Sequence, residues 1–262
     1  MTPLPPSAPQ ARSRFASLRG SGLPAGRLQA LAGRLGLPPG RDGAAPGAAG
    51  VGEPEAPALL VFAVPPEIRD PACWAPPVAA WIEAGDLEDA ALADLAGRAA
   101  AADLFVSVTT ATANTLQVAR LVVQALAARR ALTEERGGDI EFALHEAVSN
   151  AVVHGNLQVQ GMKGLTVAAL ERFSQDLADR LAEPALARRR VEIGLRIAGE
   201  TLWIDVADEG EGFLPAAPDA PAPPGRVAGC ESSGRGLDLI GSVARSLRLL
   251  DGGRRIRMEF AL

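Results

Sequence analysis

Glu146, Asn150 and His154 recur at four-residue intervals in a stretch that also carries Leu144, Ala147, Val148 and Ala151. On an α-helix each four-residue step turns about 40°, so the three polar residues share one stripe while the apolar ones point elsewhere. A carboxylate and an amide oxygen stacked on one helical face can hold a water and a hard cation. The plain alternative is the solvent side of an amphipathic helix, although solvent faces usually carry long charged side chains and this one carries Asn, Ser and His. A second candidate is Asp208, which ends an alternating run and precedes Gly210, Gly212 and Phe213. A carboxylate at a strand end, beside glycines that let the backbone approach a flat ligand, can accept from an exocyclic amine such as that of adenine. The alternative here is an acidic turn. A third candidate is the run from Gly229 through Ser232, Ser233 and Gly234 into a helix start at Gly236, with Leu237, Leu239 and Ile240 following. A helix start offers free N–H groups and the positive dipole end to an anion, and Arg235 adds a fixed charge beside them. Its alternative is an ordinary helix-capping loop. Residues 215–224, rich in Pro and Ala, are long enough to act as a lid.

The elements that must position these groups are legible in the periodicity. Leu104, Val106 and Val108 alternate as a strand, and Asn114 or Thr115 opens a helix with Leu116, Ala119, Val122, Val123 and Leu126 on one stripe. Gly137, Gly138 and Asp139 break the chain and cap the helix that carries Glu146, which ends at Gly155 and Asn156. Residues 166–181 form a third helix, with Val167, Leu170, Phe173, Leu177 and Leu181 at three- and four-residue spacing. The period then changes to two. Val191, Ile193, Leu195 and Ile197 alternate, Gly199 and Glu200 turn, and Leu202, Ile204 and Val206 alternate again, which predicts a hairpin. A helix from Gly236 to about Ala244 precedes a last hairpin of Leu247 and Leu249, a turn at 251–253, and Ile256, Met258 and Phe260. The order predicts an α+β protein: a two-layer sandwich whose mixed, antiparallel-rich sheet carries helices on one face.

Upstream, residues 1–57 hold ten of the 21 Pro and ten of the 28 Gly, a composition that offsets little of its ordering entropy by burial. They read as a disordered tail with at most a helical turn around Leu28 to Leu35. Residues 58–103 read as an extension of unassigned role, with a buried strand near Leu59 and helical spacing over 78–101. Residues 104–262 form the main domain. A net charge of −5 predicts neither nucleic acid nor an anionic membrane as partner. Cys73 and Cys230 lie far apart, without ligand-spaced neighbours, so the expectation is a reducing, cytoplasmic setting and no zinc site. No apolar run approaches the roughly 20 residues a membrane helix needs. Of the 26 basic residues only Lys163 is a lysine, and it fits neither a Walker A loop nor the strand lysine of a eukaryotic-type kinase.

Taken in order, the three candidates resemble the GHKL superfamily, the nucleotide fold shared by gyrase, Hsp90 and sensor histidine kinases. Glu146, Asn150, His154 and Gly155 look like its N box, Asp208, Gly210, Gly212 and Phe213 like its first glycine box, and Gly234, Arg235, Gly236, Leu237, Leu239 and Ile240 like its second. The ending His154, Gly155, Asn156, the helical insert finishing in Arg189 and Arg190, and the string around Asp208 are similar to the anti-sigma factor serine kinases of bacteria. The resemblance covers about residues 104–262. It implies a Bergerat-type ATP-binding fold with ATP and Mg²⁺ as cofactors, Glu146 as general base, Asn150 as Mg²⁺ ligand, and Asp208 on the adenine amine. Gly210 and Gly212 would shape the adenine pocket, and Gly234, Arg235, Gly236 and Leu237 would close over the phosphates. The activity implied is transfer of the ATP γ-phosphoryl group to Ser or Thr of a small antagonist protein, with a sigma factor as a further partner and a homodimer as an assembly the family allows. The alternatives are a nucleotide-gated binding module without phosphoryl transfer and the ATPase part of a two-component phosphorelay. His145 and His154, the two histidines of the chain, both fall in the N-box helix, which gives the phosphorelay reading no acceptor helix here. One departure is Arg245, at a position where the family often carries Asp.

Overall fold

A computed structural model describes residues 14–40, 56–63, 68–161, 164, 166–212 and 235–262. Its strands are β1 (Ser17–Ser21), β2 (Ala58–Phe62), β3 (Val78–Glu83), β4 (Leu104–Thr109), β5 (Arg190–Ala198), β6 (Thr201–Asp208), β7 (Ser246–Leu250) and β8 (Arg255–Ala261). They form one sheet in the order β1-β2-β3-β4-β5-β6-β8-β7. β1 to β4 are parallel, and every pairing from β4 onward is antiparallel.

Parallel neighbours need crossovers, which lay helices over the sheet. Helix α1 (Ala25–Leu35) crosses from β1 to β2, and α2 (Asp89–Ala99) from β3 to β4. Both lie on the face that carries the register partners Gly20, Val61, Ile82, Ser107 and Glu192. Leu28 of α1 rests on Gly20, where an added Cβ would come within 2.7 Å of it, and Arg98 of α2 pairs with Glu192 at 2.7 Å. The opposite face is covered by α3 (Thr110–Thr115), α4 (Val118–Ala127), α5 (Glu134–Asn150) and the 3₁₀ turn Pro71–Trp74, whose Trp74 stacks on Trp81 at 4.4 Å. β2 and β3 are therefore buried at every position, while β6 and β8 alternate between buried and half-buried. The fold is α+β with a mixed, antiparallel-rich sheet. Its two-layer form holds over β5, β6, β8 and β7, and a second helical layer covers β1 to β4.

Four local expectations change. Residues 14–40, assigned by composition to a disordered tail, supply β1 and α1. The average over Pro and Gly concealed the spacing of Leu28, Leu31 and Leu35, all buried, and Gly36 closes α1 in the left-handed conformation at φ 64°. Residues 1–13 and 41–55 lie outside the described residues. Trp81 and Ile82 belong to β3, not to a helix, because a strand buried on both faces loses the alternation that reveals strands. The expected boundary near Leu104 is no packing boundary, since one apolar core runs from Phe15 to Phe260. Finally, α3 starts at Thr110, with the Thr109 hydroxyl accepting from Thr112 N–H, and α5 starts at Glu134, capped by Thr133. Gly137 and Gly138 lie inside α5. The cap, the acidic first turn and the burial of Ile140, Ala143 and Leu144 outweigh the roughly 1 kcal/mol that each helical glycine costs.

Candidate functional site

Helix α5 buries Ile140, Ala143, Leu144, Ala147 and Val148, which leaves Glu146 and Asn150 half-buried on its other side. The helix then widens into one π turn, Ala151–Asn156, a local form that recurs at functional sites. His154 sits on that turn, its ring Nδ1 paired with the Val159 carbonyl at 2.9 Å, so it braces the exit of the helix.

β6 delivers Asp208 to the π turn. The Asp208 N–H donates to the Arg254 carbonyl at 3.0 Å, and its Oδ1 accepts from Gly210 N–H at 2.8 Å. A Cβ on Gly155 would lie 2.5 Å from Asp208 Cγ, and one on Gly210 would lie 2.2 Å from the Gly155 carbonyl oxygen. Glycine at both positions is thus what lets the carboxyl rest directly on the turn. Gly212, at φ +85°, passes so close to the Gly252 carbonyl that a side chain would meet it at 2.3 Å. Burial raises the Asp208 carboxyl from 3.8 to about 6, against the lowering effects of the Gly210 N–H, Arg254 and Arg189.

Helices α6 (Val167–Ala182) and α7 (Pro184–Ala187) lead into β5, and the third wall is helix α8 (Arg235–Val243), which packs on α5. A Cβ on Gly236 would stand 3.1 Å from Asn150 Nδ2 and 3.4 Å from Glu146 Oε2, so the amide and the carboxylate converge on the first turn of α8. Between the walls lies an open cleft with about 530 Å³ of empty space, lined by Asn150, Ala151, His154, Gly155, Asp208, Gly212, Leu237, Leu249, Gly253 and Ile256. Leu249 and Ile256 are cross-strand partners of β7 and β8 and make an apolar surface beside the Asp208 carboxyl. The chemistry offered is that of a flat, partly apolar heterocycle with an amine edge at one end and an anion at the other.

A family model for the histidine kinase-like ATPase domain matches residues 109–260, more than half of the chain. The chain belongs to that family. A comparison with curated proteins finds no match. As a histidine kinase-like ATPase domain, it is an ATP-binding fold, and of the expected site residues Asn150, Asp208, Gly212 and Leu237 line this cleft, while Gly236 and Glu146 lie beside Asn150 and Gly210 lies beside Gly155. Arg235 opens α8, and Gly234, Phe213 and the expected lid at 215–224 lie outside the described residues. Sequence reasoning did not single out Leu249, Gly253 and Ile256 as site residues. Their signal was present in the final hairpin, whose apolar positions had to face something. No helix among the described residues is long and apolar enough to cross a membrane.

Proposed function

We propose that the protein is an ATP-dependent regulatory kinase of the anti-sigma type, which transfers the γ-phosphoryl group of ATP to Ser or Thr of a small antagonist protein. The observation that supports this reading best is the approach of both Glu146 and Asn150 to Gly236 at the start of α8. In that arrangement a nucleotide with its base on Asp208 would extend its phosphates toward the N–H groups of the helix start, within reach of the Glu146 carboxylate. Asp208 accepts from the adenine amine through the carboxylate oxygen that Gly210 leaves free, while Leu249, Ile256 and Ala151 enclose the ring. Glu146 takes the proton of the acceptor hydroxyl during in-line transfer, a reaction in which positioning supplies most of the catalysis.

Asn150 fits a role as Mg²⁺ ligand. Its amide oxygen is a hard donor, and among the described residues no group of three or more His, Cys, Asp or Glu could hold an ion unaided, so phosphates and water would complete the shell. A cation held by Asn150 would supply neutralisation of phosphate charge during transfer.

The test is capture of partners from the native host, followed by incubation with labelled ATP. The reading expects a sigma factor and a small protein labelled on Ser or Thr. Recovery of neither refutes the anti-sigma assignment, and recovery of a partner whose capture depends on nucleotide without label would instead establish a nucleotide-gated binding module.

A further inference from the structure

Asn156 closes the π turn fully buried, and both polar atoms of its side chain bond to other elements. Its Nδ2 donates to Thr110 Oγ1 and to the Arg190 carbonyl, both at 2.9 Å, and its Oδ1 accepts from Glu209 N–H at 2.8 Å. Glu209 is the residue between Asp208 and Gly210, and its carboxylate turns back to accept Arg190 N–H at 2.7 Å. The Thr110 hydroxyl in turn donates to the Arg189 carbonyl at 2.8 Å. Both polar atoms of the Asn156 side chain are thus bonded, and none of the ring's side chains lines the cleft.

The ring continues away from the site. The Arg190 side chain, 7% exposed, donates from Nε to Ser107 Oγ at 2.8 Å and from its terminal nitrogen to the carbonyls of Ser107 at 2.8 Å and Glu83 at 3.0 Å. Glu83, 6% exposed at the end of β3, accepts from Thr109 N–H at 2.7 Å and from the hydroxyls of Thr112 at 2.9 Å and Thr109 at 3.2 Å. A buried carboxylate and guanidinium are costly unless every partner is in place, so this arrangement has one low-energy geometry.

We propose that Asn156 is a positioning residue for the adenine pocket and that Arg190 and Glu83 extend its control to the N-terminal half of the sheet, so that whatever shifts the end of β3 alters adenine affinity. The inference rests on the reading that Asp208 receives adenine. Asn156 holds the backbone of the Asp208 loop from behind, and Gly155 next to it meets the Asp208 carboxyl from in front. Releasing Glu209 N–H lets the loop, and with it the carboxyl, depart from the position that the amine requires. The phosphate end, built on α5 and α8, makes none of these bonds. Loss of the ring therefore separates base recognition from phosphate recognition, which a general loss of folding would not do.

The experiment measures binding of ADP and of inorganic tripolyphosphate to the full chain by calorimetry, for wild type, Asn156→Ala, Thr110→Val and Glu83→Gln. Asn156→Ala is expected to weaken ADP about tenfold or more, the equivalent of one buried hydrogen bond, while tripolyphosphate stays within about twofold. Glu83→Gln, at a residue on β3, three strands away from Asp208 on β6, is expected to weaken ADP about threefold or more with the same selectivity. The double variant should lose less or more than the product of the two, because the residues share one network. If Asn156→Ala does not fold, Thr110→Val and Glu83→Gln carry the comparison alone. Wild-type binding of ADP with no selective loss in these variants overturns the proposal and leaves the adenine site standing. Failure of the wild type to bind ADP at all overturns the adenine site, and the proposal with it.

Discussion

Replacing Gly155 by alanine tests the adenine pocket with a single methyl group. Gly155 lies in the π turn without a positive φ, so alanine is tolerated by the backbone and the whole effect comes from its Cβ. That atom would stand 2.5 Å from Asp208 Cγ and 2.7 Å from each carboxylate oxygen. Ordinary contact needs about 3.4 Å or more, so the carboxyl must retreat by nearly 1 Å or swing aside. On the proposed reading, a displacement of that size would break the hydrogen bond between the adenine amine and an ionised acceptor, which contributes about 1.5–3 kcal/mol. The expected cost is a roughly 10- to 150-fold rise in the Kd for ATP and for ADP alike. Calorimetry with both nucleotides measures it, and circular dichroism with a thermal melt establishes that the variant is folded. The same variant should bind GTP no worse than wild type does, since guanine offers a carbonyl where adenine offers the amine. A folded Gly155→Ala protein that binds ADP within about twofold of wild type refutes the placement of the base on Asp208.

Asp208 also predicts a pH profile. Burial raises its carboxyl from 3.8 to about 6, so the ionised acceptor is present above that value and is lost as the pH falls through it. ADP affinity should fall about tenfold between pH 7 and 5, and Asp208→Asn should flatten the curve; an unchanged slope in that variant would assign the titration elsewhere. In the free protein the sign is opposite, because ionising a buried acid costs folding energy as the pH rises from about 4 to 6. Glu146→Gln should keep nucleotide affinity within about threefold and lower phosphoryl transfer by at least about 100-fold, read from label on the acceptor; unimpaired transfer would remove Glu146 as the base. Leu35, fully buried on α1, tests whether residues 14–40 belong to the fold: Leu35→Ala should cost about 2–5 kcal/mol in denaturant unfolding with one cooperative transition, whereas a detached tail would show no change.

The parts of the site that were legible in the sequence are those whose geometry is local. Glu146 and Asn150 share a stripe because helical periodicity alone puts them there, and β5, β6 and β8 alternate because only one of their faces is covered. Non-local relations left weaker traces. The parallel pairing of β1 to β4 joins segments separated by whole crossovers, and strands covered on both faces, such as β3, show an unbroken apolar run that also suits a helix. Arg190 closes a run of three arginines, yet it is buried, because Ser107 and Glu83 meet it from strands that lie 83 and 107 residues earlier in the chain. His154, paired with the Val159 carbonyl, shows the converse: a residue that fits the motif by spacing is held by a local loop contact.

β4 explains why one sheet can serve both halves of the chain. It is the strand at which pairing changes from parallel to antiparallel, so the carboxyl ends of β3 and β4 lie at the same sheet edge as the start of β5 and the end of β6. In a parallel sheet the carboxyl edge is where loops and helix starts leave unpaired polar groups, and in the antiparallel half that edge carries Asp208. Glu83, Thr109, Thr110, Arg190, Asn156 and Glu209 satisfy one another along this edge. The polar groups that two separate sheets would expose to water are joined here into one network, buried at Glu83, Thr110, Asn156 and Arg190, that ends beside the cleft. On the proposed reading a sequence with a single lysine can hold ATP on such a scaffold, because base recognition would fall to a carboxylate fixed by backbone contacts and phosphate recognition to helix N–H groups and a cation held with Asn150.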